Sequence, residues 1–299
     1  MKRLTIFTPT YNRAYILPKL YESLYIQTCQ DFEWLIVDDG STDNTHELVE
    51  TWMQEGEVDI RYFYQNNGGK MRATNLAARE SAAELFVCID SDDQLIDGNV
   101  VKDSLAFWDN RENVLKEQIE SFNLCGMISR RRSPSVSEIE DPGSPYVGTS
   151  YEITGIYRGE TTIFTITKIL RQFPYPEFEG ENFITDIYIY DAMSYKYRFL
   201  YHPYYSQFVE YQKDGYTMSY RKLLLANPKG HRAYHVLRMQ LGMKGLAKSM
   251  ICYISLSLFV RDHTMFSASP NRLITVLLYP LGCLKYVYDR FMLSRKNEK

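Results

Sequence analysis

Leu85-Phe86-Val87-Cys88-Ile89-Asp90-Ser91-Asp92-Asp93 is the stretch that decides the fold. Five apolar, β-forming residues without alternation read as a strand buried on both faces, the kind found in sheets covered by helices. The strand runs straight into three carboxylates within four residues. Side by side, unpaired carboxylates repel unless a cation joins them, so this turn reads as a site.

Upstream of that stretch the same pattern repeats. Residues 4–8, 32–37 and 59–64 read as strands, and residues 14–27, 43–55 and 71–83 as amphipathic helices. Short strands alternating with longer helices imply βαβ units and a parallel sheet. Right-handed crossovers then place every strand's carboxyl end on one rim, where open α/β sheets bind ligands. Two more polar clusters fall at such ends: Thr8-Pro9-Thr10-Tyr11-Asn12-Arg13 and Asp38-Asp39-Gly40-Ser41. Asp38-Asp39-Gly40-Ser41 alone could be a turn with a helix cap, but three clusters at matching strand ends make a site. Adjacent carboxylate oxygens suit Mg²⁺ or Mn²⁺, which also take substrate phosphate oxygens.

As an ordered set, these clusters resemble the family 2 glycosyltransferases of bacterial surface-polysaccharide type, inverting enzymes with the GT-A fold. The likeness is carried by Thr8 to Arg13, by Val37-Asp38-Asp39-Gly40-Ser41-Thr42-Asp43, by Gly68-Gly69-Lys70 through Ala73 and Asn75, and by Ile89-Asp90-Ser91-Asp92-Asp93. It covers about residues 2–110. It implies an α/β, Rossmann-like mixed, mostly parallel sheet flanked by helices, here with a C-terminal helical extension. The chain has Ala77 and Ala83 where the family usually carries glycine, and alanine is the better helix former.

The resemblance also implies roles. Thr8, Pro9, Tyr11 and Arg13 would line uracil and ribose, and Asp39 or Asp38 would accept the uracil N–H, as an acceptor-only carboxylate can. Lys70, after two glycines that let backbone approach a ligand, would contact the nucleotide. Asp90 and Ser91 would contact the nucleotide at the ribose, and Asp92, with Asp90, would hold the Mg²⁺ or Mn²⁺ that bridges the phosphates. Asp93 would support them. An inverting displacement needs one base for the acceptor hydroxyl. Residues 178–186 resemble the family segment carrying it, with Glu181-Asn182 in place of the usual Glu-Asp pair. Asp186 is the first candidate and Glu181 the second.

The 299 residues are 45% apolar and 24% charged, which excludes a disordered, collagen-like or multi-span membrane protein. Five scattered cysteines without a C-x-x-C pair argue against a disulfide framework or zinc site. The apolar run at 4–7 is too short for a signal-peptide core, so the N-terminus is expected to stay in the cytoplasm. No G-x-G-x-x-G follows a strand, which excludes a dehydrogenase. A sugar nucleotidyltransferase would need a Gly-rich phosphate loop after the first strand, and a nucleotide-sugar-binding scaffold without catalysis is the other rival.

The net charge of −3 hides two opposite halves. Residues 221–299 hold 14 Lys+Arg against 3 Asp+Glu, a net +11, and residues 1–220 hold 20 against 34, a net −14. The expected domains are therefore a catalytic domain over 1–220, with a nucleotide-binding half (1–110) and an acceptor half (111–220), and a basic amphipathic helical tail over 221–299. Two 12-residue apolar runs in the tail, 249–260 and 273–284, fall short of the roughly 20 needed to span a bilayer. Flanked by basic residues, they suit an in-plane helix on an anionic membrane surface, which predicts a peripheral protein on the inner face of the cell membrane. The acceptor is expected to be a glycan or a lipid-linked oligosaccharide. A homo-oligomer is possible, and no nucleic acid is expected as a partner. Arg130-Arg131-Arg132 is expected in a long solvated loop; by resemblance to relatives of this fold His202 is a weak metal-ligand candidate, and residues 213–219 resemble the family's loop that closes over the donor, or read as a plain turn.

Overall fold

The computed structural model describes residues 2–115, 123–134, 146–157, 160–210, 212 and 216–294. The chain divides into two compact units, residues 1–174 with 193–212, and residues 175–192 with 213–299. The segment 175–192, expected in the acceptor half, thus groups with the helical extension.

The first unit carries β1 (Leu4–Thr10), α1 (Leu17–Tyr25), β2 (Phe32–Asp38), α2 (Thr45–Glu55), β3 (Ile60–Tyr64), α3 (Lys70–Glu80) and β4 (Leu85–Cys88). It continues with β5 (Gln94–Leu95), α4 (Val100–Asp109), α5 (Arg111–Leu115), β6 (Leu124–Arg132), β7 (Val147–Gly148), α6 (Ser150–Tyr157), β8 (Thr161–Ile166), α7 (Thr167–Leu170) and β9 (Arg198–Phe208). Among the described residues the strands form one nine-stranded mixed sheet, in the order β3-β2-β1-β4-β8-β6-β9-β5, with β7 on β9. The pairing is parallel from β3 to β4 and between β6 and β9.

Burial follows position in the sheet. Central β2 is buried along its whole length and edge β3 only at Ile60. One polar residue inside is satisfied in kind: buried Glu33 accepts from Thr5 Oγ1 (2.6 Å) and Arg61 (3.1 Å). Trp34, fully buried on β2, lies 5.8 Å from Trp52, which stacks on Tyr21 at 4.4 Å and locks α1 and α2 against the sheet. The register sets Thr10 opposite Asp38 and Asp38 opposite Tyr64, so β1, β2 and β3 end together on one rim.

The second unit holds α8 (Ile187–Met193), α9 (Tyr216–Ala226), α10 (Pro228–Gln240), α11 (Leu246–Phe259) and α12 (Arg272–Ser294). Its core is Met239, Met250, Tyr253, Ile254 and Met265. Among the described residues no helix is long and apolar enough to cross a membrane.

The arginine run differs from the expectation. Arg130-Arg131-Arg132 completes β6, and only Arg132 is exposed. Arg130 is buried between the rings of Tyr157 and Tyr205, 4.7 and 4.2 Å from their centroids, because a guanidinium face stacks on aromatic rings. A run of like charges looks solvated in sequence, but strand alternation and aromatic partners on flanking elements internalise part of it. The Pro/Gly/Ser stretch at 141–145 and residues 213–215 lie outside the described residues, and residues 216–219 open α9.

Candidate active site

The loops after β1 and β2 are laced together. Asn12, in a left-handed conformation (φ 53°) that asparagine tolerates, accepts from the N–H of Thr42 (2.7 Å) and Asp43 (3.3 Å), and its own N–H donates to Ser41 Oγ (2.8 Å). Asp43 takes the Ala14 N–H at 3.1 Å. This fixes Tyr11, half exposed, and Arg13 at the rim. Pro9 is half-buried in β1. Thr8 turns inward: it is fully buried and its hydroxyl accepts from Trp34 Nε1 at 2.9 Å, so its side chain faces the core.

The strand-two aspartates organise backbone. Asp38 accepts from Ser41 N–H and Tyr62 O–H, both at 2.7 Å. Asp39 accepts from Gly68 N–H (2.8 Å), Gly69 N–H (2.7 Å) and Gln65 Nε2 (2.7 Å). A carboxylate offers about four lone-pair sites, so Asp39 has about one left and Asp38 about two. Both are buried. Gly69 adopts φ 88°, a conformation glycine takes without strain, and this turn starts α3 at Lys70.

The three carboxylates after β4 have three different environments. Asp90 pairs with Lys70 Nζ, 2.6 Å to Oδ1 and 2.8 Å to Oδ2. Burial pushes its pKa up, but the Lys70 ammonium outweighs that and holds Asp90 below the usual carboxylate range. Asp93 is buried and its Oδ2 accepts from Gln207 Nε2. Burial raises its pKa to about 8, against the pull of the Arg131 charge and with the push of Asp90 and Asp92. Asp92 is half-buried, and its pKa is raised by burial and by the neighbouring Asp90 charge. Among the described residues no other side chain or backbone donates to its carboxylate, so it is the open anionic group of the turn. Ser91 is buried beside it.

Behind the turn lies a circuit that the sequence reading missed. Arg131 on β6 faces Gln207 on β9 in register, and its Nε donates to Thr162 Oγ1 of β8 at 3.2 Å. Thr162 in turn donates to Gln207 Oε1 at 2.7 Å. Three strands thus hold Asp93 through Gln207, with the Arg131 charge alongside. The alternation of Met127, Ser129 and Arg131 along one strand face is the signal that would have placed it.

His202 sits in β9 as a core ring. It stacks on Phe107 at 3.8 Å and 4°, burial lowers its pKa to about 4, and both ring nitrogens are buried without a partner among the described residues. Among the described residues no group of three His, Cys, Asp or Glu is placed to enclose a metal.

In the second unit the two candidate bases separate. Glu181 Oε1 and Oε2 accept the N–H of Lys229 and Gly230, each at 2.8 Å, so its carboxylate caps the start of α10. Asn227 returns the favour, its Oδ1 accepting from Asn182 N–H (2.9 Å) and Phe183 N–H (3.2 Å). Asp186, directly before α8, is exposed, and among the described residues only its backbone carbonyl is engaged, by Tyr175 O–H at 2.7 Å.

A sheet parallel through β3-β2-β1-β4, with an acidic turn after β4 and antiparallel strands beyond, is the GT-A architecture of nucleotide-sugar-dependent glycosyltransferases. Residues 5–141 match the profile described as "Glycosyl transferase family 2". A Staphylococcus aureus protein, poly(ribitol-phosphate) beta-N-acetylglucosaminyltransferase TarS, is 31% identical over 161 residues, 53% of this chain and 28% of that protein. Residues 1–349 of TarS, solved in complex with UDP-GlcNAc, share the fold at a TM-score of 0.63 and 19% identity, over 89% of this chain and 73% of that one. A Campylobacter jejuni GalNAc(5)-diNAcBac-PP-undecaprenol beta-1,3-glucosyltransferase is 31% identical over 100 residues, 33% of this chain and 32% of that protein. A Pyrobaculum calidifontis mannosyltransferase in complex with GDP-Man and Mn²⁺ superposes at a TM-score of 0.53 and 16% identity, over 96% of this chain and 87% of that one. The matched stretches span at most about a third of these curated relatives.

Proposed function

We propose that this chain is an inverting glycosyltransferase that moves a sugar from a UDP-linked donor to a glycan or lipid-linked acceptor in bacterial polysaccharide biosynthesis. The observation that carries the reading is the acidic turn itself: Lys70 neutralises Asp90, the Arg131 circuit restrains Asp93, and Asp92 is left open at the rim where β1, β2 and β4 end. That rim is where a nucleotide lies in open α/β sheets. TarS, with UDP-GlcNAc in its crystal, supports the donor class, and the C. jejuni relative, whose name specifies a PP-undecaprenol acceptor, supports the acceptor class.

The donor set fits a divalent cation. An open carboxylate with a raised pKa beside a second carboxylate suits Mg²⁺ or Mn²⁺, which take one or two protein oxygens and fill their shells with phosphate and water. Asp92 would hold it, with Asp90 alongside. Such a cation offsets the negative charge that grows on the departing nucleoside diphosphate. Tyr11, Pro9 and Arg13 would contact the nucleoside, and Lys70, through its grip on Asp90, sets the turn beneath it. Asp186 would take the proton of the acceptor hydroxyl, since Glu181 is already engaged as a cap. The basic C-terminal helices would hold the enzyme on the inner face of the membrane.

The test is UDP release from UDP-GlcNAc, with thermal stabilisation by UDP and Mn²⁺ read in parallel. Asp92→Asn should lower turnover by about a hundredfold or more and remove the Mn²⁺-dependent part of the stabilisation. Full activity in EDTA, or an Asp92→Asn enzyme as fast as the parent, would refute the assignment.

A further inference from the structure

Of the two apolar runs in the basic segment, α11 is internal. Met250, Tyr253 and Ile254 form the core of the second unit. α12 packs on α11 along a line of small and polar residues flanked by Ile274, Leu278 and Tyr279, which lie against that core. Thr275, Gly282 and Asp289, seven residues apart, form its buried line. A Cβ on Gly282 would lie 2.3 Å from Ile254 Cγ2, so glycine is what lets the two helices approach. Asp289 is held by Lys285 Nζ (2.6 Å) and Ser255 Oγ (3.3 Å).

A second set of large apolar residues of α12 points the opposite way. Leu273, Val276, Leu277, Leu284, Val287 and Phe291 are 50% to 70% exposed. At helical periodicity they fall within an arc of about 100°, diametrically opposite the buried line. A helix of a soluble protein turns one apolar stripe to the core and its other side to water; α12 carries a second apolar stripe on that outward side, over about 27 Å of its length. Exposed Arg272 and Arg290, five turns apart, lie along one border of the stripe, and the only acid of α12, Asp289, is buried. The occupant this face fits is therefore apolar beneath and anionic at its edge. A second copy of the chain would bring two surfaces of a +11 segment together, which like charge opposes.

We infer that α12 is an in-plane lipid-binding helix whose 273–291 face seats at the headgroup–acyl boundary of an anionic bilayer, with Arg272 and Arg290 on lipid phosphates. The inference rests on the membrane placement proposed above and assigns it to one face of one helix. Amphipathic helices bind this way, through buried apolar area together with attraction to anionic lipid.

The test is flotation of the full chain with phosphatidylcholine vesicles, with and without phosphatidylglycerol, at low and high salt. The expected result is binding to the anionic vesicles, weakened by salt and reduced at least about tenfold by Leu277→Glu/Leu284→Glu. Arg272→Glu/Arg290→Glu should abolish the preference for phosphatidylglycerol. A full chain that stays unbound with anionic vesicles at low salt overturns the inference. So does a Leu277→Glu/Leu284→Glu chain that floats as well as the parent, or a parent dimer that those two substitutions dissociate. All four positions lie on the outward side, so melting and stabilisation by UDP with Mn²⁺ should match the parent. A parent that does not float yet is stabilised by UDP with Mn²⁺ refutes the lipid face alone, whereas a parent that floats but shows no donor stabilisation refutes the glycosyltransferase reading alone.

Discussion

Replacing Glu181 separates a structural carboxylate from a catalytic one. Its two oxygens accept the N–H groups of Lys229 and Gly230 at 2.8 Å, in the first turn of α10, where helix N–H groups have no intrahelical partner. A capping carboxylate contributes about 1 kcal/mol through its hydrogen bonds, and charge at a helix N-terminus adds about 0.3–1 kcal/mol more. The reciprocal bonds from Asn182 and Phe183 to Asn227 hold the same junction closed, so the loss should not be relieved by local movement. Glu181→Ala should therefore destabilise the second unit by about 2 kcal/mol, seen as a urea midpoint shift by circular dichroism. Glu181→Gln keeps one acceptor oxygen but turns an amide NH₂ toward an N–H, and should lose about half as much. Turnover of Glu181→Gln, measured as UDP release well below its melt, should stay within about tenfold of the parent, because loss of a general base costs at least about a hundredfold. A Glu181→Gln enzyme with parental stability and a hundredfold or greater loss of kcat would refute the capping argument and make Glu181 the base.

The remaining expectations concern single groups. Asp186→Asn should cut kcat by about a hundredfold or more while leaving the donor KM unchanged; a loss below about tenfold sinks its role as the base. His202, neutral in the core with its pKa lowered to about 4, refuses until about pH 4 a proton that the unfolded chain takes up near pH 6.5. Stability should thus be full above that window and fall as pH drops through it, and His202→Phe, which keeps the stack on Phe107, should flatten the fall; equal slopes in urea titrations at pH 7 and pH 5 would count against it. Gln207→Leu strands Asp93 Oδ2 and takes away the acceptor of the Thr162 hydroxyl proton, and should cost about 2 kcal/mol or more, whereas parental stability in urea would show that the circuit is slack.

The first hundred residues were legible because each element there obeys a local rule. Val37, Ile89 and their neighbours are buried on both faces and show it by unbroken apolar runs, and turn chemistry at Asp38-Asp39-Gly40 and Gly68-Gly69 marks where strands end. Thr8 and Glu181 show where local reading stops. Whether a hydroxyl faces a ligand or a Trp34 nitrogen 26 positions away, and whether a carboxylate is free or caps a helix 48 residues on, is decided by pairing that the sequence does not display. The arginine run failed for a related reason. Charge predicts solvent only when no buried counter-charge or ring waits on another strand, and Arg131 and Arg130 each have one.

The acidic turn after β4 gains its meaning from how its charge is divided. Three carboxylates in four residues could not share a half-buried loop unaided, and two are dealt with from opposite sides: Asp90 by Lys70 at the start of α3, Asp93 by Gln207 and the Arg131 charge from the sheet. Each solution uses a different element, so neither depends on a ligand being present. What remains is Asp92, whose pKa is raised by burial and by the neighbouring Asp90 charge and whose carboxylate accepts from no other residue among those described, at the point proposed for the nucleoside diphosphate and its cation. Asp90→Asn and Asp92→Asn should then fail differently. The first frees a half-buried lysine and loosens the turn itself, so it should lower stability even without nucleotide. The second relieves the turn and should leave the unliganded protein at least as stable, losing only what the cation and the diphosphate would have gained from it.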